Sequence, residues 1–264
     1  MKKAILSFAG IILLAAIVVS CGSKGPRVAD PPPPPKVDPE KAFETQKGLA
    51  VASLRRGNFP QALKEIDEAI VMDGDDPEVY LIKGAIYFGL KDYSRAEALY
   101  LTSLEKDPTY AMARFNLCGL YLKQGKYDSA IAECSRLTDD ALFNARENAY
   151  TNIGIAYFNK GDIERAKQNY ELALQINPAF VYAHNELGKL YMSAGRYGEA
   201  IEEFKQAING LQDYEEAYYN LALAYVKVGQ NMQACESFAR VVDLAPGTEY
   251  GVNSNKYLNS LCQP

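Results

Sequence analysis

Six small residues, Ala50, Gly84, Cys118, Gly154, Gly188 and Ala222, recur at spacings of 34, 34, 36, 34 and 34 residues. The same neighbourhood returns around each. It is clearest in Tyr150-x-x-Ile153-Gly154-x-x-Tyr157-x-x-x-Gly161, followed by Ala166, Tyr170, Ala173 and Pro178. The pattern predicts two antiparallel helices per period. Gly154 on the first helix is expected to face Ala166 on the second, so that the backbones approach closely. Tyr150, Tyr157 and Tyr170 fill the wider part of the joint. Gly161 ends the first helix in a left-handed conformation, and Pro178 closes the second. No single hairpin of this kind can bury its apolar faces alone, so the copies must stack.

A period of 34 with these residues in this order resembles the tetratricopeptide repeat. The implied fold is all-α, a right-handed superhelical solenoid of six repeats starting near 43, 77, 111, 147, 181 and 215. A short C-terminal capping segment, 249–264, would follow. The first copy is weaker, with Ala50, Gly57, Ala62, Ile66 and Ala69, and Gly74 where proline is usual. Terminal repeats are often atypical because one face lacks a neighbour. Such a chain builds a binding surface rather than a reaction centre.

The start of the chain points to export. Met1-Lys2-Lys3 is basic, Ala4 to Val19 carries no charge, and Val18-Val19-Ser20-Cys21 follows. This resembles the lipobox of bacterial lipoproteins, with residues 1–20 as signal peptide and Cys21 as the acylated N-terminus carrying chains such as palmitate. More than one acyl chain holds a protein firmly on a membrane. Gly22, rather than aspartate, favours the outer membrane, at its periplasmic face. Residues 21–42, with the run Pro31 to Pro35, read as a proline-rich tether that cannot build a core.

Composition excludes several functions. The formal charge is −5 and becomes −7 once Lys2 and Lys3 leave with the leader. An acidic chain without a basic stripe argues against nucleic acid. No nucleophile motif, phosphate loop, metal-ligand cluster, cofactor fingerprint or small-molecule site appears, so no catalytic residue is assigned and an enzyme is not expected. His184, the single histidine, reads as a packing substitute for an aromatic residue.

Export makes the four remaining cysteines candidates for disulfides. Cys118 and Cys134 stand where the small residue and the large aromatic of the third repeat belong, which predicts a bridge between them. Cys235 and Cys262, in the last repeat and the final segment, form the second expected pair. The register also marks the concave face. Val51, Leu54, Leu81, Ala85, Phe88, Met112, Phe115, Leu122, Ile155 and Phe158 are expected to form an apolar trough across the first four repeats, suited to an apolar segment of a protein partner. Lys47 is present, but Val51 and Ile82 stand where a carboxylate clamp would need polar groups.

Lipobox, six repeats and a C-terminal helix together resemble the type IV pilus biogenesis lipoproteins of the PilF/PilW type, the pilotins. The most specific stretch is Asp139 to Asn148, the one join with two extra residues. The resemblance implies a membrane-anchored periplasmic adaptor that binds a pilus secretin subunit through the groove and promotes its assembly or outer-membrane localisation. Two alternatives use the same fold. One is a scaffold lipoprotein for cell-wall enzymes or envelope assembly, the other a chaperone-like receptor for exported chains.

Overall fold

The computed structural model describes residues 38–140 and 142–262. The expected signal peptide, Cys21, the tether up to Val37 and Ala141 lie outside the described residues. Thirteen helices follow one another among the described residues, with no strand. Six first helices are α1 (Pro39–Arg55), α3 (Pro77–Gly89), α5 (Ala111–Lys123), α7 (Arg146–Asn159), α9 (Val181–Ser193) and α11 (Glu215–Lys227). Their partners are α2 (Phe59–Met72), α4 (Tyr93–Lys106), α6 (Tyr127–Thr138), α8 (Ile163–Ile176), α10 (Tyr197–Gly210) and α12 (Asn231–Leu244), and α13 (Glu249–Leu261) closes the array. The first helix begins within the stretch expected to be tether. Asp38 accepts from the Glu40 amide at 3.1 Å and Pro39 occupies the first turn, a strong local start signal.

Every helix packs on the next, and each odd-numbered helix also touches the next odd-numbered one. No even-numbered helix touches the next even one. The array therefore closes up on the odd side and opens on the even side, which makes the odd helices the concave face. Helix α13 contacts both α12 and α11, so it stands in for the first helix of a seventh repeat. Each hairpin turns through a residue with positive φ. Five are glycines, from Gly57 at +72° to Gly229 at +75°, and the second repeat uses Lys91 at +62°.

The atoms nearest the open face of Gly154 are those of the Tyr170 ring, one of the expected fillers of the joint. The same holds for Gly84 under Tyr100 and Gly188 under Phe204, where an added Cβ would lie 2.6 and 2.5 Å from ring carbons. These pairs are each 16 residues apart, as are Cys118 and Cys134. Ala166 and Tyr170 both belong to the buried cluster that contains Leu187 and Leu190 of the following repeat. The longer join after α6 also has a structural use. Phe143 folds back into the third-repeat core, its ring 5.9 Å from that of Phe115, while Leu142 stays exposed.

His184 is a polar cross-brace rather than a packing substitute. Its Nδ1 lies 2.7 Å from Glu203 Oε2 and its Nε2 3.0 Å from the Pro178 carbonyl. Arg114 makes the equivalent pair of contacts in the third repeat, donating to Glu133 and to the Pro108 carbonyl at 2.7 Å each. Burial opposes the imidazolium, but the hydrogen bonds to Glu203 and Pro178 outweigh it and hold the pKa above its ordinary value. A raised folded pKa gives stability that is fully present below the unfolded value, about 6.5, and is lost as pH rises through the folded one. The stability gap between wild type and His184→Gln should therefore be widest below about pH 6.5 and narrow as pH rises above it. Urea midpoints across that range test this, and a gap that stays flat would remove the brace.

Candidate functional site

The concave face divides into two chemically different halves. At its start Lys47 is buried, with its ammonium 2.8 Å from each of Glu44, Asp76 and Glu78. Burial disfavours that charge, yet the three carboxylates hold its pKa well above the ordinary lysine value. The ammonium is fully engaged and offers nothing to a partner's carboxylate. Val51 and Leu54 pack half-buried on the core of the first two repeats.

The apolar half centres on the second and third repeats. Ala85, Phe88, Tyr100, Phe115, Asn116 and Gly119 line a pocket of about 250 Å³. Phe88 and Phe115 are half-buried and form its walls, and Gly119 opens its floor. Gly119 is unlike the glycines at the ring joints. It sits inside α5, and nothing lies within 4 Å of where its Cβ would be. A helix-interior glycine costs about 1 kcal/mol relative to alanine, so its use here is not explained by packing. Corresponding positions carry Val51, Ala85, Ile155, Lys189 and Leu223. Gly119 keeps the pocket open.

The other expected trough residues divide by burial. Leu81 is a correction: it is buried with Ala113 and Leu117 at the joint between repeats and does not line open groove. The superhelical stacking of first helices covers that position. Met112 is 48% exposed, the most open of the set. Leu122 packs half-buried beside the third-repeat core, and Ile155 and Phe158 beside the fourth and fifth.

Both expected cysteine pairs are joined. Cys118 and Cys134 bridge α5 and α6 with Cα atoms 5.6 Å apart and no exposure. Cys235 and Cys262 tie α12 to the end of α13, Cα atoms 5.9 Å apart. The closing helix is also held by Tyr257, stacked on Phe238 at 4.6 Å.

The polar half lies in the last three repeats, where Tyr182, Asn185, Lys189 and Met192 stand on α9. The structure brings Tyr182 and Glu186 of α9 together with Tyr214 and Glu216 of the next repeat. A signal was present: Tyr182 and Glu216 hold the same position in successive repeats, 34 residues apart.

A stacked array of helical hairpins with a concave face built from its first helices is a helical-repeat solenoid. Family models described as tetratricopeptide repeat match residues 48–111, 87–146, 147–180 and 215–248, and one described as TPR repeat matches 188–229. The chain belongs to the tetratricopeptide-repeat family. It is homologous to the type IV pilus assembly protein PilF of Pseudomonas aeruginosa, at 22% identity over 169 residues, 63% of this chain and 65% of PilF. It is 29% identical to human RNA polymerase II-associated protein 3 over 132 residues, half of this chain and 20% of that protein. The chain thus spans less than two thirds of the length of either relative. Among solved structures, PilW, a widely conserved type IV pilus biogenesis factor, matches with a TM-score of 0.70 at 21% identity, over 81% of this chain and 98% of PilW. The Pseudomonas aeruginosa PilF structure matches at 0.67 and 18% identity, over 83% and 98%. These structural likenesses are of fold.

Proposed function

We propose that this chain is a protein-binding adaptor of type IV pilus biogenesis, anchored by lipid on Cys21 at the periplasmic face of the outer membrane. Its cargo is a secretin subunit, held by the apolar half of the concave face, and its effect is to promote secretin assembly or outer-membrane localisation. The observation that carries the reading is the pocket around Phe88, Phe115 and Gly119, an apolar opening kept clear by a glycine that packing does not require. The homology to PilF, a type IV pilus assembly protein, supports the pilus part of the reading. Anchoring many copies on one membrane would concentrate bound subunits there and favour their encounter.

The test is the double variant Phe88→Asp plus Phe115→Asp in cells that make the secretin. Two carboxylates in the pocket face desolvation on binding, and capture should fall at least about tenfold, which corresponds to ~1.4 kcal/mol. Both side chains also pack on neighbouring aromatic rings, so the urea midpoint should fall, and capture is compared where circular dichroism shows the variant folded. Normal secretin multimers, normally localised, would sink the groove assignment. Mass spectrometry of the mature N-terminus checks the anchor separately.

A further inference from the structure

The polar half of the concave face has a chemistry of its own. Asn148 and Asn152 of α7, Tyr182 and Glu186 of α9, and Tyr214 and Glu216 at the start of α11 bound a pocket of about 510 Å³. Phe180, Tyr182 and Tyr214 give it aromatic surface, and Ile155 joins it to the apolar half. Tyr182 meets Phe180 and Tyr214 edge-on, with ring centroids 5.4 and 5.6 Å apart. Tyr182 is nonetheless 48% exposed, although no core requires it there.

The charges do not balance inside this pocket. Lys189 Nζ lies 2.7 Å from Glu186 and 3.3 Å from Glu216, so one ammonium serves two carboxylates. With both carboxyls ionised, one negative charge is left over in a place where water is limited, since the Glu186 and Glu216 side chains are only 13% and 26% exposed, and a bound cation would offset it. Neighbouring groups feel it. Burial raises the Tyr214 phenol above its ordinary pKa, and Glu216 and Glu186 raise it further. Burial likewise pushes the Glu186 carboxyl up in spite of Lys189.

Aromatic surface with a surplus carboxylate favours one class of guest. A neutral apolar side chain would desolvate the carboxylates and return no partner. An anion would be repelled. A planar cation can stack on tyrosine and hydrogen-bond a carboxylate at once. We infer that this pocket takes an arginine side chain carried by a chain lying along the concave face. This rests on the reading that the concave face holds a protein segment, and it adds a second, electrostatic point of recognition to the apolar one. The partner segment would then carry apolar residues at one end and a basic residue at the other.

The probe is N-acetyl-arginine methylamide, titrated into the mature protein with its tyrosine rings labelled for NMR. N-acetyl-citrulline methylamide is the uncharged isostere and N-acetyl-aspartate methylamide the anionic control. The arginine probe should shift the Tyr182 and Tyr214 ring signals and bind at least tenfold more tightly than the citrulline probe. Glu216→Gln and Tyr182→Leu should each weaken it about tenfold, or ~1.4 kcal/mol. Tyr182 is exposed enough for its replacement to leave the fold intact. Equal binding of arginine and citrulline, preference for aspartate, or unchanged affinity in both variants would overturn the assignment. The Phe88→Asp, Phe115→Asp protein should titrate as wild type does. Loss of secretin capture with this titration intact supports both readings. Normal capture in that variant removes the groove and leaves the arginine site standing.

Discussion

Gly188→Val should destabilise the protein by about 3 kcal/mol, the upper part of the range for overpacking a core. The new Cβ would lie 2.5 Å from the ring of Phe204, which is completely buried. The ring cannot retreat, because Leu187, Leu190 and Tyr191 share its cluster with Leu221 and Ala224 of the next repeat. Valine regains only a few tenths of a kcal/mol in helix propensity over glycine, far too little to offset the clash. The damage should be local. In a stacked array each repeat depends mainly on its neighbours, so amide exchange should rise first in α9, α10 and the adjoining α8 and α11. Phe204→Leu in the same chain removes the ring edge and should recover part of the loss. Gly48→Ala is the contrast: nothing lies within 4 Å of that site in α1, and it should gain about 0.5–1 kcal/mol. An unchanged urea midpoint for Gly188→Val would show that the ring-on-glycine joint is not what the small residues are for.

This joint shows where a sequence is readable and where it stops. The period of 34 is visible because each buried position is refilled in every copy, so helix pairs, turns and register all follow from it. The depth of each side chain does not follow. Tyr170 was expected in the joint with Gly154, but only the three-dimensional offset of the helices shows how closely its ring covers the glycine. Leu81 is apolar on a concave position in the register, and stacking of α3 on α5 is what buries it. The pocket at Phe88 and Phe115 was legible because both lie at regular concave positions. The arginine pocket was not, since Tyr182, Tyr214 and Glu216 are ordinary residues until adjacent repeats bring them together.

The third repeat offers the sharpest test of that logic. Oxidised Cys118–Cys134 occupies the glycine and aromatic positions of the joint, and a bridge spanning 16 residues contributes ~3 kcal/mol. A disulfide fills less volume than a tyrosine ring. Leu137, buried in the same cluster where the other repeats carry Ala69, Ser103, Ala173, Ala207 and Val241, is expected to make up the difference. Cys118→Ala plus Cys134→Ala should therefore lose about 3 kcal/mol or more, the bridge together with a cavity. Installing the neighbours' joint alone, Cys118→Gly with Cys134→Tyr, should overpack against Leu137. Adding Leu137→Ala should relieve that overpacking, because volume-conserving repacking is well tolerated, and leave only the loss of the bridge itself, about 3 kcal/mol below the oxidised protein. The triple variant should also cease to respond to dithiothreitol at this repeat, while the second bridge, Cys235–Cys262, keeps its own response at α13. Urea midpoints with and without reductant decide the matter. A triple variant no more stable than the double alanine would mean that the bridge does not stand in for the glycine and ring. A double variant already as stable as the triple would mean that Leu137 does not compensate for volume.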